Sequence, residues 1–149
     1  MADSHFKQHP ITFPLTSWAP FSAGSAIGAI GYRPDRSFKN DQGKVVCVLE
    51  SSSTNDRKVG VGELCLADKY FSDEGTDGIL IMSLCGKSSS PPRPETQKRY
   101  LEPIFRHLRA HTHRHGVKKL YLISEESFEA LGWKALTPEF MAKAHAIEA

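Results

Sequence analysis

The chain has no run of 18 apolar residues, so it offers no helical membrane span. Its first residues lack a compact apolar h-region and are broken by Pro10, Pro14 and Pro20, so no secretory signal is expected. Cysteine is scarce and odd in number. Cys47, Cys65 and Cys85 each sit in an apolar stretch, which argues against a disulfide framework and for buried free thiols in a reducing compartment. A cytoplasmic protein is the expectation. The cysteine separations exclude a CxxC zinc site. Helical zinc ligation also lacks support, because His107-Leu108-Arg109-Ala110-His111 has no glutamate in the HExxH position and neighbouring arginines would repel a cation. Gly86-Lys87-Ser88 looks like the tail of a P-loop, but Ile81 stands where that motif needs glycine, so nucleotide binding is rejected. The net charge of +2 is too small to indicate a polyanionic partner; its distribution matters more.

What is present is a globular composition, 40% hydrophobic and 24% charged, and 149 residues suffice for one domain with one sizeable core. The strongest strand signal is the β-branched and apolar run Val45 to Ser52. With Arg33 to Phe38 it forms a predicted hairpin across the polar turn Lys39 to Lys44. A turn centred near Asp41 and Gln42 pairs Phe38 with Val45, Arg36 with Cys47 and Asp35 with Val48. Asp35, Val48, Glu50 and Ser52 then share one face, with the two carboxylates as diagonal neighbours about 7–8 Å apart. A loop shifted by one residue would separate them onto opposite faces. Glu50 ends an apolar run, where a charge is costly unless matched by a cation or a metal ion. The plainer account makes Glu50 an exposed strand end and Asp35 an ordinary turn residue.

Residues 1–26 read as an irregular arm anchored by Phe13, Trp18 and Phe21, with His5 and His9 as solvated side chains. Ile27 to Tyr32 reads as the early part of the first hairpin strand or as a separate short strand leading into it. Ser53-Thr54-Asn55-Asp56 is a polar junction full of N-cap residues ahead of a helix over Arg57 to Phe71, although Gly60 and Gly62 leave room for a loop as far as Glu63. Gly78 to Cys85 and Lys119 to Ile123 are two further buried strands, separated by a Ser/Pro loop over Ser88 to Pro94 and a helix over Thr96 to His115. Residues 124–149 read as two short helices, one capped by Ser124 and one opened by Thr137 and Pro138.

The helix over Thr96 to His115 carries an apolar stripe, with Pro103 set to kink it or to open its main segment. Lys98, Arg99, Arg106, Arg109 and Arg114 concentrate positive charge on its opposite face, with Lys118 and Lys119 just beyond. Such a face suits a nucleic-acid backbone, or is simply solvated. His107, His111 and His115 share a helical spacing, with His113 nearby; they add positive charge at lower pH.

The order strand, strand, helix, strand, helix, strand, with an acidic pair on the first two strands, resembles the PD-(D/E)xK nuclease superfamily. Pro34-Asp35 and Glu50-Ser51-Ser52 carry the resemblance, which spans roughly residues 27–123. It implies an α/β fold, a central mixed β-sheet flanked by helices, restriction-endonuclease-like. It further implies a metal-dependent nuclease in which Asp35 and Glu50 hold Mg²⁺ or Mn²⁺, with DNA rather than RNA as the expected partner, as a single copy or a homodimer. The family's lysine two positions after the glutamate is replaced here by Ser52, and Lys58 and Glu63 are the substitutes the next helix provides. Gln97 and Tyr100 loosely resemble a Gln/Tyr pair that some exonuclease-like members carry. The alternative is a catalytically inactive nuclease-like module that binds nucleic acid or a partner protein through the basic helix. A third account is another small α/β protein in which Asp35 and Glu50 are coincidental.

Overall fold

A computed structural model describes residues 9–15, 17–87, 89–112 and 114–149; His5, Ser88 and His113 lie outside them. The elements in chain order are β1 (Ala19–Ser22), β2 (Arg36–Lys39), β3 (Val45–Ser52), α1 (Arg57–Glu74), β4 (Asp77–Leu84), α2 (Pro94–His111), β5 (Gly116–Ser124), α3 (Glu125–Ala130), α4 (Pro138–Lys143) and β6 (His145–Glu148). The six strands form one mixed sheet in the order β1-β2-β3-β4-β5-β6. β3, β4 and β5 are parallel, while β2 and β6 run against them and β1 runs against β2. The architecture is α/β, a mixed sheet flanked by helices. No helix among the described residues is long and apolar enough to cross a membrane.

Two apolar layers result from the alternation along the central strands. Val48, Leu80, Met82, Leu120 and Leu122 pack under α1 and α2 through Leu64, Phe71, Leu101 and Phe105. Cys47, Leu49, Ile81, Tyr121 and Ile123 point the other way, onto Phe128 of α3, Phe140 of α4 and Trp133. Strands buried on both faces read as continuous apolar runs, which is why β3, β4 and β5 were legible.

The hairpin register differs from the expected one by two residues. Phe38 pairs with Cys47 and Arg36 with Leu49. Asn40 pairs with Lys44 across a three-residue loop, its amide donating to the Lys44 carbonyl at 2.8 Å. Gly43 adopts φ 79°, which a side chain would resist. That loop moves the register by one, and a bulge between Phe38 and Lys39 moves it by one more. Two steps preserve the face of every side chain, so Asp35 and Glu50 stay together.

Five expectations are corrected. Cys65 is exposed on α1, whereas Cys47 and Cys85 are buried as expected. Ile27–Tyr32 is a tight turn closed by the Ile27 amide on the Tyr32 carbonyl at 2.7 Å, not a strand. β1 emerges from the supposed irregular arm; it is an edge strand, where Pro20 costs no ladder bond. The C-terminal segment holds β6 as well as helices: α4 stops at Lys143, and His145–Glu148 closes the sheet against β5. α2 ends at His111, leaving Arg114 and His115 beyond it, and it runs through Pro103. α1 is helical through both glycines, its start fixed by the Asp56 carboxylate on the Lys58 amide at 3.0 Å.

Candidate active site at the carboxyl edge of the sheet

Because β3, β4 and β5 are parallel, their C-terminal ends share one edge, tied there by the Cys85 amide on the Ser52 carbonyl at 2.7 Å. β2 runs oppositely, so Asp35, just before it, arrives at the same edge. Extending the observed register by one residue sets Asp35 directly across from Glu50. Two hydrogen bonds run crosswise between the Asp35 and Glu50-Ser51 segments, each carboxylate accepting from a backbone amide of the other segment. The Asp35 amide donates to Glu50 Oε1 at 3.2 Å, and the Ser51 amide donates to Asp35 Oδ2 at 2.7 Å. Glu50 is 7% exposed, so it is not the exposed strand end of the plainer account; Asp35 is half-buried at the bend before β2.

Sequence reading missed Tyr32. Its hydroxyl, from the Ile27–Tyr32 turn, donates to Glu50 Oε2 at 2.8 Å. Burial, then the charge and hydrogen bond of Glu50, hold the phenol well above the usual tyrosine range, and the charges of Glu63 and Asp35 add to it. Tyr32 is therefore a neutral donor at ordinary pH. No motif marks it; the only signal is a tyrosine two residues before Pro34, useful once the turn is known.

Of the two substitutes for the missing lysine, Glu63 is the one felt electrostatically at Tyr32, whereas Lys58 is exposed in the first turn of α1. Five positions apart on a helix, they lie about 140° around the axis from one another. Ser52, in the lysine's place, accepts from the Thr54 amide at 3.4 Å and so closes the loop after β3.

The basic residues divide into two groups. Arg109 is buried against Asp68, whose Oδ1 it meets while the Val117 amide donates to the same oxygen at 2.8 Å. Gly116 leaves the space: a Cβ there would collide with both side chains. Arg109 is thus a structural ion-pair partner and no part of an exposed nucleic-acid face. Arg106 binds Glu102 at 3.1 Å and the Glu148 carbonyl at 2.5 Å. Arg106 and Arg109 stand on the C-terminal half of α2, and Arg114 is exposed beyond its end, all toward the opposite edge of the sheet from Asp35 and Glu50. Lys98 and Arg99 belong to the N-terminal half, on the carboxylate side. Gln97 and Tyr100 stand there too; Gln97 is buried and donates to the Asn55 carbonyl at 3.3 Å.

Two hydrogen-bonded carboxylates fit the small protein share of a Mg²⁺ shell, which otherwise consists of water and substrate phosphate. Among the described residues no three His, Cys, Asp or Glu side chains gather at metal-ligand spacing, so a site relying on protein ligands alone is not built here. His115 faces Asp77 at 3.0 Å, and the His107 and His111 rings lie tilted against each other with centroids 4.8 Å apart. Compared with family models, curated protein sequences and solved structures, the chain matches none.

Proposed function

We propose that the chain is a metal-dependent nuclease acting on DNA, of the restriction-endonuclease-like fold. The observation that carries the reading is the crosswise hydrogen bonding between the Asp35 and Glu50-Ser51 segments at the carboxyl edge of the sheet. The order β2, β3, α1, β4, α2, β5 supports it, being the strand and helix order on which the nuclease resemblance rests. Asp35 and Glu50 are the residues that would hold Mg²⁺ or Mn²⁺, which supplies polarisation of the phosphodiester and a lowered pKa for the attacking water. The Asp35 and Ser51 amides and the Tyr32 hydroxyl orient the two carboxylates before any ligand arrives. Lys58 contributes positive charge toward the transition state from the first turn of α1.

Ser52 favours one second reading, a nuclease-like module that binds without cleaving, because a serine hydroxyl cannot supply the lysine's charge. A cleavage assay with Mg²⁺ or Mn²⁺ separates the two. Wild type should nick or degrade DNA, and Asp35→Ala and Glu50→Gln should each abolish cleavage while DNA binding persists. Cleavage surviving in both variants, or binding by wild type with no cleavage under either metal, would sink the nuclease reading.

A further inference from the structure

The N-terminal halves of α1 and α2 bring two arginines to one aromatic ring. The Arg57 guanidinium lies 5.0 Å from the Tyr100 ring centroid and that of Arg99 lies 5.9 Å from it. Both are exposed, and neither has an ion pair among the described residues, unlike Arg106 and Arg109. Their placement is constructed rather than incidental. Gly60 of α1 lies against the Leu101 and Gln97 side chains of α2, and buried Gln97 ties α2 to the loop preceding α1 through Asn55. The first turn of α1 contains Arg57 and Lys58 and no acid, and the Asp56 carboxylate at its N-cap is the anion that offsets the helix dipole there. Lys87, beyond the end of β4, adds another exposed cation at this edge.

We infer that Arg57 and Arg99, held by Tyr100, form a clamp for the phosphodiester backbone of a nucleic-acid strand beside Asp35 and Glu50. This rests on the nuclease reading for its substrate class and relocates the binding surface from the outer length of α2 to the carboxyl edge of the sheet. A guanidinium stacked on an aromatic ring keeps its edge of N–H donors free for phosphate oxygens, and the stack limits its rotamers before binding. Arg106 is seven residues, about 10 Å, further along α2 than Arg99. A strand centred on the carboxylates would meet Arg99 first.

The test is fluorescence anisotropy with labelled single-stranded and duplex DNA oligonucleotides in EDTA, so that cleavage does not consume the probe. Arg57→Gln with Arg99→Gln should weaken binding at least about tenfold. The slope of log affinity against log salt should fall by roughly 2. Arg106→Gln should change little. Tyr100→Phe, which keeps the ring, should bind as wild type, and Tyr100→Leu should bind less tightly with an unchanged urea midpoint. A loss with Arg106→Gln equal to that of the double variant would overturn the clamp. So would wild-type binding that survives the double variant, or the absence of salt-dependent binding to either probe. Metal-dependent cleavage lost only in Glu50→Gln would meanwhile leave the nuclease reading standing, and the reverse pattern would leave the clamp without the nuclease.

Discussion

Tyr32 donates its hydroxyl proton to Glu50 Oε2 at 2.8 Å, joining the turn before β2 to the last residues of β3 across a buried contact. The same carboxylate accepts from the Asp35 amide, so a charge at the end of an apolar run is compensated by donors on both oxygens.

Tyr32→Phe removes one donor and keeps the ring. The buried carboxylate then loses the donor to Oε2, and the expected cost is about 1–3 kcal/mol of stability, read from the urea midpoint. Because the hydroxyl also orients Glu50, Mn²⁺ affinity measured by calorimetry should drop about 10–100-fold, as for other partners of metal ligands. A stability loss without any change in metal affinity would make Tyr32 purely structural.

The Asp68–Arg109 pair gives a second prediction, independent of any activity. Asp68→Asn leaves a guanidinium nearly buried without its counter-charge, and Arg109→Met does the same to the carboxylate. Each should cost about 3–5 kcal/mol by urea denaturation. The double variant should lose less than the sum, since residues in direct contact are coupled. DNA binding by whatever folded protein remains should be unchanged, and a selective loss of binding would return Arg109 to the nucleic-acid face.

The two carboxylates were legible for a reason that survived an error. The loop and the bulge each displaced the register by one residue, and parity, not register, decides which face a side chain occupies. Strands β3, β4 and β5 were legible because burial on both faces requires continuous apolar runs. β6 was hidden because His145-Ala146-Ile147-Glu148 has little strand character of its own; pairing with β5 imposes the conformation. Arg109 was misplaced because helical spacing puts it among exposed arginines, whereas its partner lies 41 positions earlier, on α1. Tyr32 and Arg57 act through contacts between elements distant in sequence, which no local pattern announces.

Alkaline pH should destabilise the fold. Burial, then the charge of Glu74, pushes the Tyr70 phenol up to about 12, and Tyr32 is raised well above its ordinary value by burial and then by Glu50. The unfolded chain loses both protons near pH 10. Between that pH and the folded-state values the native protein binds more protons than the unfolded one, so stability falls as pH rises. Stability should be level with respect to these two groups below about pH 9 and decline from about pH 10 upward. Phenolate absorbance should show Tyr32 and Tyr70 ionising late, and in step with loss of structure if unfolding comes first. Early ionisation of both in the folded state would contradict the burial that holds their protons.

Lys58 and Glu63 make opposite predictions about how the site works without the family's lysine. If Lys58 supplies the positive charge, Lys58→Met should lower the rate of DNA cleavage by about 10²–10³, the range for removing a single transition-state donor, and leave Mn²⁺ affinity unchanged. Glu63 adds negative potential at Tyr32, and so beside Glu50, without standing at ligand spacing. Glu63→Gln should therefore weaken Mn²⁺ binding modestly, less than Asp35→Ala or Glu50→Gln, and lower the rate mainly at limiting metal. Titrating cleavage against Mn²⁺ concentration distinguishes the two: saturating metal should rescue Glu63→Gln and should not rescue Lys58→Met. Rescue of both would remove Lys58 from the chemistry, leaving the carboxylate pair with a site whose charge on the transition state is met by the clamp arginines alone.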